Sequence, residues 1–104
     1  TAVAHCIEEQ VRSLDRVGRN GGEEFLVLLP DTELEEAAEV AERVRIAVSR
    51  LVIEGVPADH PIHVSIGCAE YRAEDDNLGE LIRRADEAMY AAKLAGRNRV
   101  MTAR

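Results

Sequence analysis

The sequence predicts an α/β fold, an α+β sandwich in which helices pack on one mostly antiparallel sheet. Apolar residues follow helical spacing in three segments, 3–14, 34–51 and 78–92. A fully apolar run at 25–29 indicates a strand covered on both faces, and alternation at 62–68 indicates a strand with one buried face. Residues 99–102 are expected to add a closing edge strand. The 104 residues suffice for one modest core.

The first predicted elements are a helix and a β-hairpin. The helix carries an apolar stripe of Val3, Cys6, Ile7, Val11 and Leu14. Residues 15–19 and 24–29 form the hairpin strands, and Pro30 ends the second strand. The dipeptide Asn20-Gly21 between the strands is typical of a type I′ turn, which needs positive φ at both central residues.

Two further helices follow the hairpin. Thr32 as N-cap and Glu35 three residues later fit a capping box, which predicts a helix that runs to about Arg50. A last helix begins near Leu78, and Gly96 is placed to end it in the left-handed conformation. The predicted order is therefore helix, hairpin, helix, strand, helix, strand.

The composition excludes several classes of partner. Apolar residues make up 46% and charged residues 32% of the chain, as in ordinary globular domains. The net charge of −7 disfavours nucleic acid and anionic membrane surfaces as partners, and no apolar run is long enough to span a bilayer. Cys6 and Cys68 each fall on an apolar stripe, so we expect both to be reduced core residues of a cytoplasmic protein.

The segment Gly21-Gly22-Glu23-Glu24 is the first candidate site. A hairpin with a solvated acidic tip would explain it without any chemistry. Alternatively, the glycines let a phosphate approach the backbone while a carboxylate holds Mg²⁺. Successive side chains of a regular strand point to opposite faces, so Glu23 and Glu24 would need a bulge to reach one metal ion together.

Two further candidates contain cationic residues. Lys93 and Arg97 lie four residues apart at the end of the last predicted helix. They either complement the negative end of the helix or donate hydrogen bonds to a terminal phosphate. Arg12 and Asp15, taken alone, indicate a helix end followed by a turn.

Together these features resemble the GGDEF family, the diguanylate cyclase domains of bacterial cyclic di-GMP signalling. The match begins with Gly21-Gly22-Glu23-Glu24-Phe25, the family's GGEEF form. Further matching segments follow in order and at family-like spacing, and they occupy residues 26–32, 41–45, 64–67, 83–93 and 96–100. The resemblance implies that residues 1–104 are the C-terminal portion of a single GGDEF domain, with a nucleotide-cyclase-like, ferredoxin-like sheet that is N-terminally incomplete.

The resemblance also implies a role for each matching residue of the substrate site. Glu23 would be a metal ligand and catalytic carboxylate, and Glu24 would be the second catalytic acid. The cofactor would be Mg²⁺ or Mn²⁺. The residues that would bind the substrate GTP, by leaving room for it or by holding its terminal phosphates, are Gly21, Gly22, Lys93 and Arg97.

A second site is implied by the family's RxxD sequence, five residues ahead of the motif. Arg12 and Asp15 match this inhibitory product site, and Arg43 matches a further arginine that contacts bound product in some members. The implied reaction joins two GTP molecules into cyclic di-GMP and releases pyrophosphate, with two domains facing each other as a homodimer. Sensory or EAL-type domains attached to this one, and an inner-membrane anchor elsewhere in the protein, are left open.

Two departures from the family affect this interpretation. An upstream strand with a metal-binding Asp, and a segment whose Asn and Asp recognise guanine, are not among these 104 residues, so we expect the chain alone to make no cyclic di-GMP. Asn20 also replaces the usual aromatic residue before the first glycine. The alternatives are a catalytically degenerate domain that binds cyclic di-GMP or GTP as a regulatory module, and a structural domain whose hairpin has no ligand.

Overall fold

A computed structural model of the protein describes residues 2–12, 15–19, 25–57, 59–72 and 77–103. The elements follow the predicted order. They are α1 (Ala2–Glu9), β1 (Arg16–Arg19), β2 (Phe25–Leu28), α2 (Leu34–Ser49), β3 (Ile66–Ala69), α3 (Leu78–Leu94) and β4 (Val100–Ala103). Within the described ranges, no helix combines the length and apolar character that crossing a membrane requires.

The strands form two separate pairs. β1 and β2 are antiparallel, with Arg16 opposite Leu28 and Arg19 opposite Phe25. β3 and β4 are parallel, with Ile66 opposite Val100, and α3 connects them. The prediction of one mostly antiparallel sheet is therefore wrong for the described residues. A helical crossover returns the chain to the starting end of β3, so β4 runs in the same direction as β3.

The parallel pair packs against α2, and β2 packs against the buried cluster that α1 and α2 share. One buried cluster consists of Cys6, Ile7, Val44 and Val48, and Phe25, Val27 and Ile66 pack against it. A second cluster joins Leu34, Ala41 and Cys68 to residues of β3 and β4. The burial of both cysteines confirms their predicted place in the core. Burial raises the pKa of the Cys68 thiol to about 11. Burial, assisted by the nearby negative charge of Glu9, also raises the pKa of Cys6.

The predicted capping box at the start of α2 is not formed. The N-cap is Glu33, and its side chain makes no capping hydrogen bond. The hydroxyl of Thr32 donates to the carbonyl oxygen of Pro30 at 2.9 Å. Glu70, at the end of β3, caps the helix instead, because its Oε1 accepts from the backbone N–H of Leu34 at 2.8 Å.

The two ends of α3 agree with the prediction. The Asn77 side chain caps the N-terminus by accepting from the N–H of Glu80 at 3.1 Å. At the other end, Gly96 has φ +123° and donates to the carbonyl of Lys93, while the N–H of Arg97 donates to the carbonyl of Ala92. These two hydrogen bonds form a Schellman motif, which satisfies helix carbonyls that would otherwise lack donors.

Two elements are shorter than their sequence patterns. α1 ends at Glu9, although its apolar stripe continues beyond that residue. β3 begins at Ile66 rather than near residue 62, because its partner β4 begins at Val100, just after the turn that closes α3. The first hydrogen bond of this pair joins the N–H of Ile66 to the carbonyl of Arg99 at 3.0 Å.

Candidate functional site

The hairpin that carries the glycine-rich segment is fixed at its base. Phe25 and Val27 of β2 pack against the core cluster beneath α2. Gly21, Gly22, Glu23 and Glu24, together with the predicted turn at Asn20-Gly21, lie outside the described residues. The described register pairs Arg19 of β1 with Phe25, the last residue of the motif.

Glu23, the residue predicted to bind a divalent cation, belongs to this motif, next to the second acidic residue Glu24. The carboxylates of Glu23 and Glu24 supply the oxygen ligands that Mg²⁺ and Mn²⁺ prefer, so their chemistry fits such a cation. In the ranges that the structure describes, no group of three or more His, Cys, Asp or Glu residues is arranged to hold a metal ion.

The two predicted phosphate-binding cations lie on either side of the end of α3. Lys93 is a half-buried residue of the last helical turn. Arg97 lies three residues beyond the helix, exposed and with φ +62°. The two residues therefore lie on either side of Gly96, the residue predicted to end the helix.

The turn after α3 is tied to α2 by residues that the sequence did not single out. Asn98, with φ +47°, accepts a hydrogen bond from Nη1 of Arg45 at 3.0 Å. Arg45 also donates from Nε to the carboxylate of Glu42 at 2.6 Å. The Arg45–Asn98 hydrogen bond therefore fixes the turn that contains Arg97 to α2.

Arg12 and Asp15 form a compact, partly buried pair after α1. The backbone N–H of Arg12 donates to Oδ2 of Asp15 at 2.7 Å, and Nη2 of Arg12 lies 3.3 Å from Oδ1. The side chain of Asp15 is 2% exposed, whereas that of Arg12 is 57% exposed. The pair therefore combines a fixed anion with a cation that solvent or a ligand can reach.

The Arg12 guanidinium also contacts the segment between β2 and α2. Its Nη2 donates to the carbonyl oxygen of Pro30 at 3.0 Å and to Oγ1 of Thr32 at 2.9 Å. These partners were missed at the sequence level, because they lie 18 and 20 residues away from Arg12 and no local pattern indicates them.

Arg43 lies close to the same end of α1. Its Nη2 donates to the carbonyl oxygen of Gln10 at 3.1 Å, which joins the exposed face of α2 to the chain two residues before Arg12. The structure thus brings two arginines and a buried aspartate to the same end of α1.

Comparison with known proteins gives consistent family matches. The family model described as "Diguanylate cyclase, GGDEF domain" matches residues 1–99. Diguanylate cyclase DgcM of Escherichia coli (strain K12) is 43% identical over 102 residues, which are 98% of this chain and 24% of DgcM. Response regulator PleD of Caulobacter vibrioides is 40% identical over 97 residues, which are 91% of this chain and 21% of PleD. The chain spans about a quarter of the length of these relatives.

Solved structures share the fold. The structure of diguanylate cyclase SiaD from Pseudomonas aeruginosa, in complex with its activator SiaC, matches with a TM-score of 0.88 at 40% identity and covers 98% of this chain and 39% of SiaD. The GGDEF domain of DgcB from Caulobacter crescentus, in complex with c-di-GMP, matches with a TM-score of 0.87 at 33% identity, and the match covers 98% of this chain and 61% of that solved domain. The predicted fold class and the family resemblance are therefore confirmed.

Proposed function

The chain belongs to the GGDEF family of diguanylate cyclase domains, and on this premise we propose that it condenses two GTP molecules into cyclic di-GMP as part of a cytoplasmic signalling protein. The observation that carries the proposal is the family match over residues 1–99, which includes the acidic motif at 21–25. Because the chain spans about a quarter of its curated relatives, the activity, substrates and partners of the whole protein are part of the proposal.

Each proposed role follows from the chemistry of the residue. Gly21 and Gly22 carry no side chains, so the nucleotide can approach the backbone closely. Glu23 is the proposed ligand of Mg²⁺ or Mn²⁺ and Glu24 the second catalytic acid, and the bound cation would offset the negative charge of the phosphates. The residues proposed to hold the terminal phosphates by charge-assisted hydrogen bonds are Lys93 and Arg97.

The proposed reaction needs two domains. The 3′-hydroxyl oxygen of each GTP attacks the α-phosphorus of the other, which forms a phosphodiester bond and breaks the bond to pyrophosphate. One domain binds one nucleotide, so a homodimer places the two reactants face to face and gains its rate from orientation and charge stabilisation. The upstream metal-binding Asp and the guanine-binding residues implied by the family are not among these 104 residues. We therefore expect the isolated chain to form no product.

Chromatographic analysis of GTP turnover tests the proposal. With the full-length protein and Mg²⁺, we expect one cyclic di-GMP and two pyrophosphates for every two GTP consumed. The activity per protein molecule should rise with protein concentration, because the active species is a dimer. Failure to form product would argue against the proposed reaction. If the activity per protein molecule stays constant on dilution below the dissociation constant of the dimer, the proposed dimer is wrong.

A second candidate function is favoured by the contacts around Arg12 and Asp15. A buried carboxylate beside an exposed guanidinium, with Arg43 nearby, suits a ligand that offers both hydrogen-bond donors and phosphate oxygens. A domain without cyclase activity could use this region to bind cyclic di-GMP as a regulatory module. Calorimetric titration with cyclic di-GMP tests this alternative. It predicts that the wild-type protein binds cyclic di-GMP without turning over GTP, and that Arg12→Ala removes the binding.

A further inference from the structure

One nitrogen of the Arg12 side chain is shared among three protein oxygens. Nη2 lies 2.9 Å from Oγ1 of Thr32, 3.0 Å from the carbonyl oxygen of Pro30 and 3.3 Å from Oδ1 of Asp15. A terminal guanidinium nitrogen carries two hydrogens. Three acceptors therefore already exceed its donor capacity, and a new acceptor must displace one of them.

The geometry of guanidinium makes this nitrogen decisive for ligand binding. Arginine binds phosphates and base edges best with two parallel hydrogen bonds from one edge of the fork. One such edge pairs Nη2 with Nη1 and the other pairs Nη2 with Nε, so both edges use Nη2. Among the described residues, each hydrogen bond of the Arg12 side chain uses Nη2. Neither edge can bind a ligand bidentately until a protein oxygen leaves.

Of the two side chains that contact Nη2, that of Asp15 is tied to Arg12 a second time, whereas one hydrogen bond joins that of Thr32 to Arg12 in the described part of the chain. Asp15 is buried, and its carboxylate is also held by the backbone N–H of Arg12. The Thr32 hydroxyl donates its own hydrogen to the carbonyl of Pro30 at 2.9 Å, which leaves its lone pairs directed toward the guanidinium. The sequence pattern predicts that this hydroxyl caps α2, but in the structure it contacts Pro30 and Arg12 instead.

We propose that Thr32 competes with cyclic di-GMP for Arg12 and thereby sets the affinity of the product site. The proposal rests on the proposed function, because it assumes that Arg12 and Asp15 bind cyclic di-GMP. Product binds when one of its acceptor atoms takes the place of the Thr32 hydroxyl on Nη2 of Arg12. The free energy of the contact between Arg12 and Thr32 is subtracted from that of ligand binding, so removing the hydroxyl tightens binding.

Calorimetric titration of the full-length protein with cyclic di-GMP tests the competition. Thr32→Val keeps the shape of the side chain and removes the hydroxyl, and we expect its dissociation constant to fall by about three- to tenfold, the range for one hydrogen bond of modest net strength. Thr32→Ser keeps the hydroxyl and should bind as the wild type does. Thr32→Ala provides the same test by another route, should the valine variant fold poorly.

The possible outcomes separate the two levels of the argument. If Thr32→Val and Thr32→Ala bind cyclic di-GMP as the wild type does or more weakly, the competition is refuted, since a residue that merely orients Arg12 would weaken binding when lost. Arg12→Ala is the test of the underlying site, and we expect it to weaken binding at least tenfold. If Arg12→Ala binds normally, the assignment of the product site fails, whatever the Thr32 variants do.

Discussion

Replacing Gly67 by alanine tests the packing of β3 against α3. Gly67 lies in the middle of β3, and a Cβ atom built there would lie 2.1 Å from the carbonyl oxygen of Ala85 and 2.2 Å from the backbone nitrogen of Met89. Both atoms belong to the backbone of α3, so no side-chain rotation can relieve the contact. The helix must move away from the strand by about an ångström or more, because close-packed interiors tolerate little overlap.

The size of the effect follows from this overlap. Overpacking a well-packed core typically costs about 1–3 kcal/mol, and a clash with fixed backbone belongs at or above the upper end of that range. We therefore expect Gly67→Ala to lower the free energy of unfolding by about 3 kcal/mol or more. A domain of this size has a total stability on the order of 5–15 kcal/mol, so this single methyl group removes a large share of it.

Equilibrium urea unfolding, followed by circular dichroism, measures this change. Gly55→Ala is the matched control, because Gly55 has φ +86° and a Cβ atom there meets nothing within 4 Å. The control carries backbone strain without a clash, which corresponds to about 1–2 kcal/mol. We expect the midpoint to fall by about 1–2 M urea for Gly67→Ala and by clearly less for the control. If Gly67→Ala unfolds at the same midpoint as the control or later, the described packing of β3 on α3 is wrong.

Two further predictions concern the thiol of β3 and the start of α3. The pKa of Cys68 rises from 9.0 to about 11 in the folded protein, so the stability from the protonated thiol is fully present below pH 9 and is lost as pH rises through 11. Between pH 8 and pH 11, the free energy of unfolding in urea should therefore fall by about 2 kcal/mol more for the wild type than for Cys68→Ala. If the two proteins show the same dependence of unfolding free energy on pH, the burial of the thiol is contradicted. Asn77→Ala should cost about 1 kcal/mol in the same assay through loss of the cap, and an unchanged midpoint would show that the start of α3 is assigned wrongly.

The features that sequence predicts well here depend on neighbouring residues. The last helix begins and ends where its local signals indicate, because an N-cap and a glycine with positive φ act within one helical turn. The same reasoning fails at the start of α2, where the predicted capping box is not formed. The Thr32 hydroxyl is held by Arg12, and the helix amide is taken by Glu70, which lies 36 residues further along the chain. Such distant partners leave no mark on the local pattern.

The candidate site divides in a similar way. Arg12, Asp15 and Arg43 were grouped through the family resemblance, and the described contacts place them at the same end of α1. The competition for Arg12 by Thr32 depends on how the segment after β2 folds back, which no spacing rule describes. Gly67 looked like one small residue in an alternating strand, and its close approach to α3 emerges from the packing of β3 against that helix.

The most direct test of the central claim is cyclic di-GMP formation by the full-length protein with and without the Glu23 carboxylate. Glu23→Gln keeps the size of the side chain and removes the proposed metal ligand, and Glu39→Gln makes the same change at an exposed position of α2. We expect the wild type and Glu39→Gln to convert GTP at equal rates, and Glu23→Gln to lose about a hundredfold or more, as the loss of metal-assisted charge stabilisation predicts. Equal rates for all three proteins, or no product from any of them, would contradict the assignment of this domain as a diguanylate cyclase that acts through Glu23.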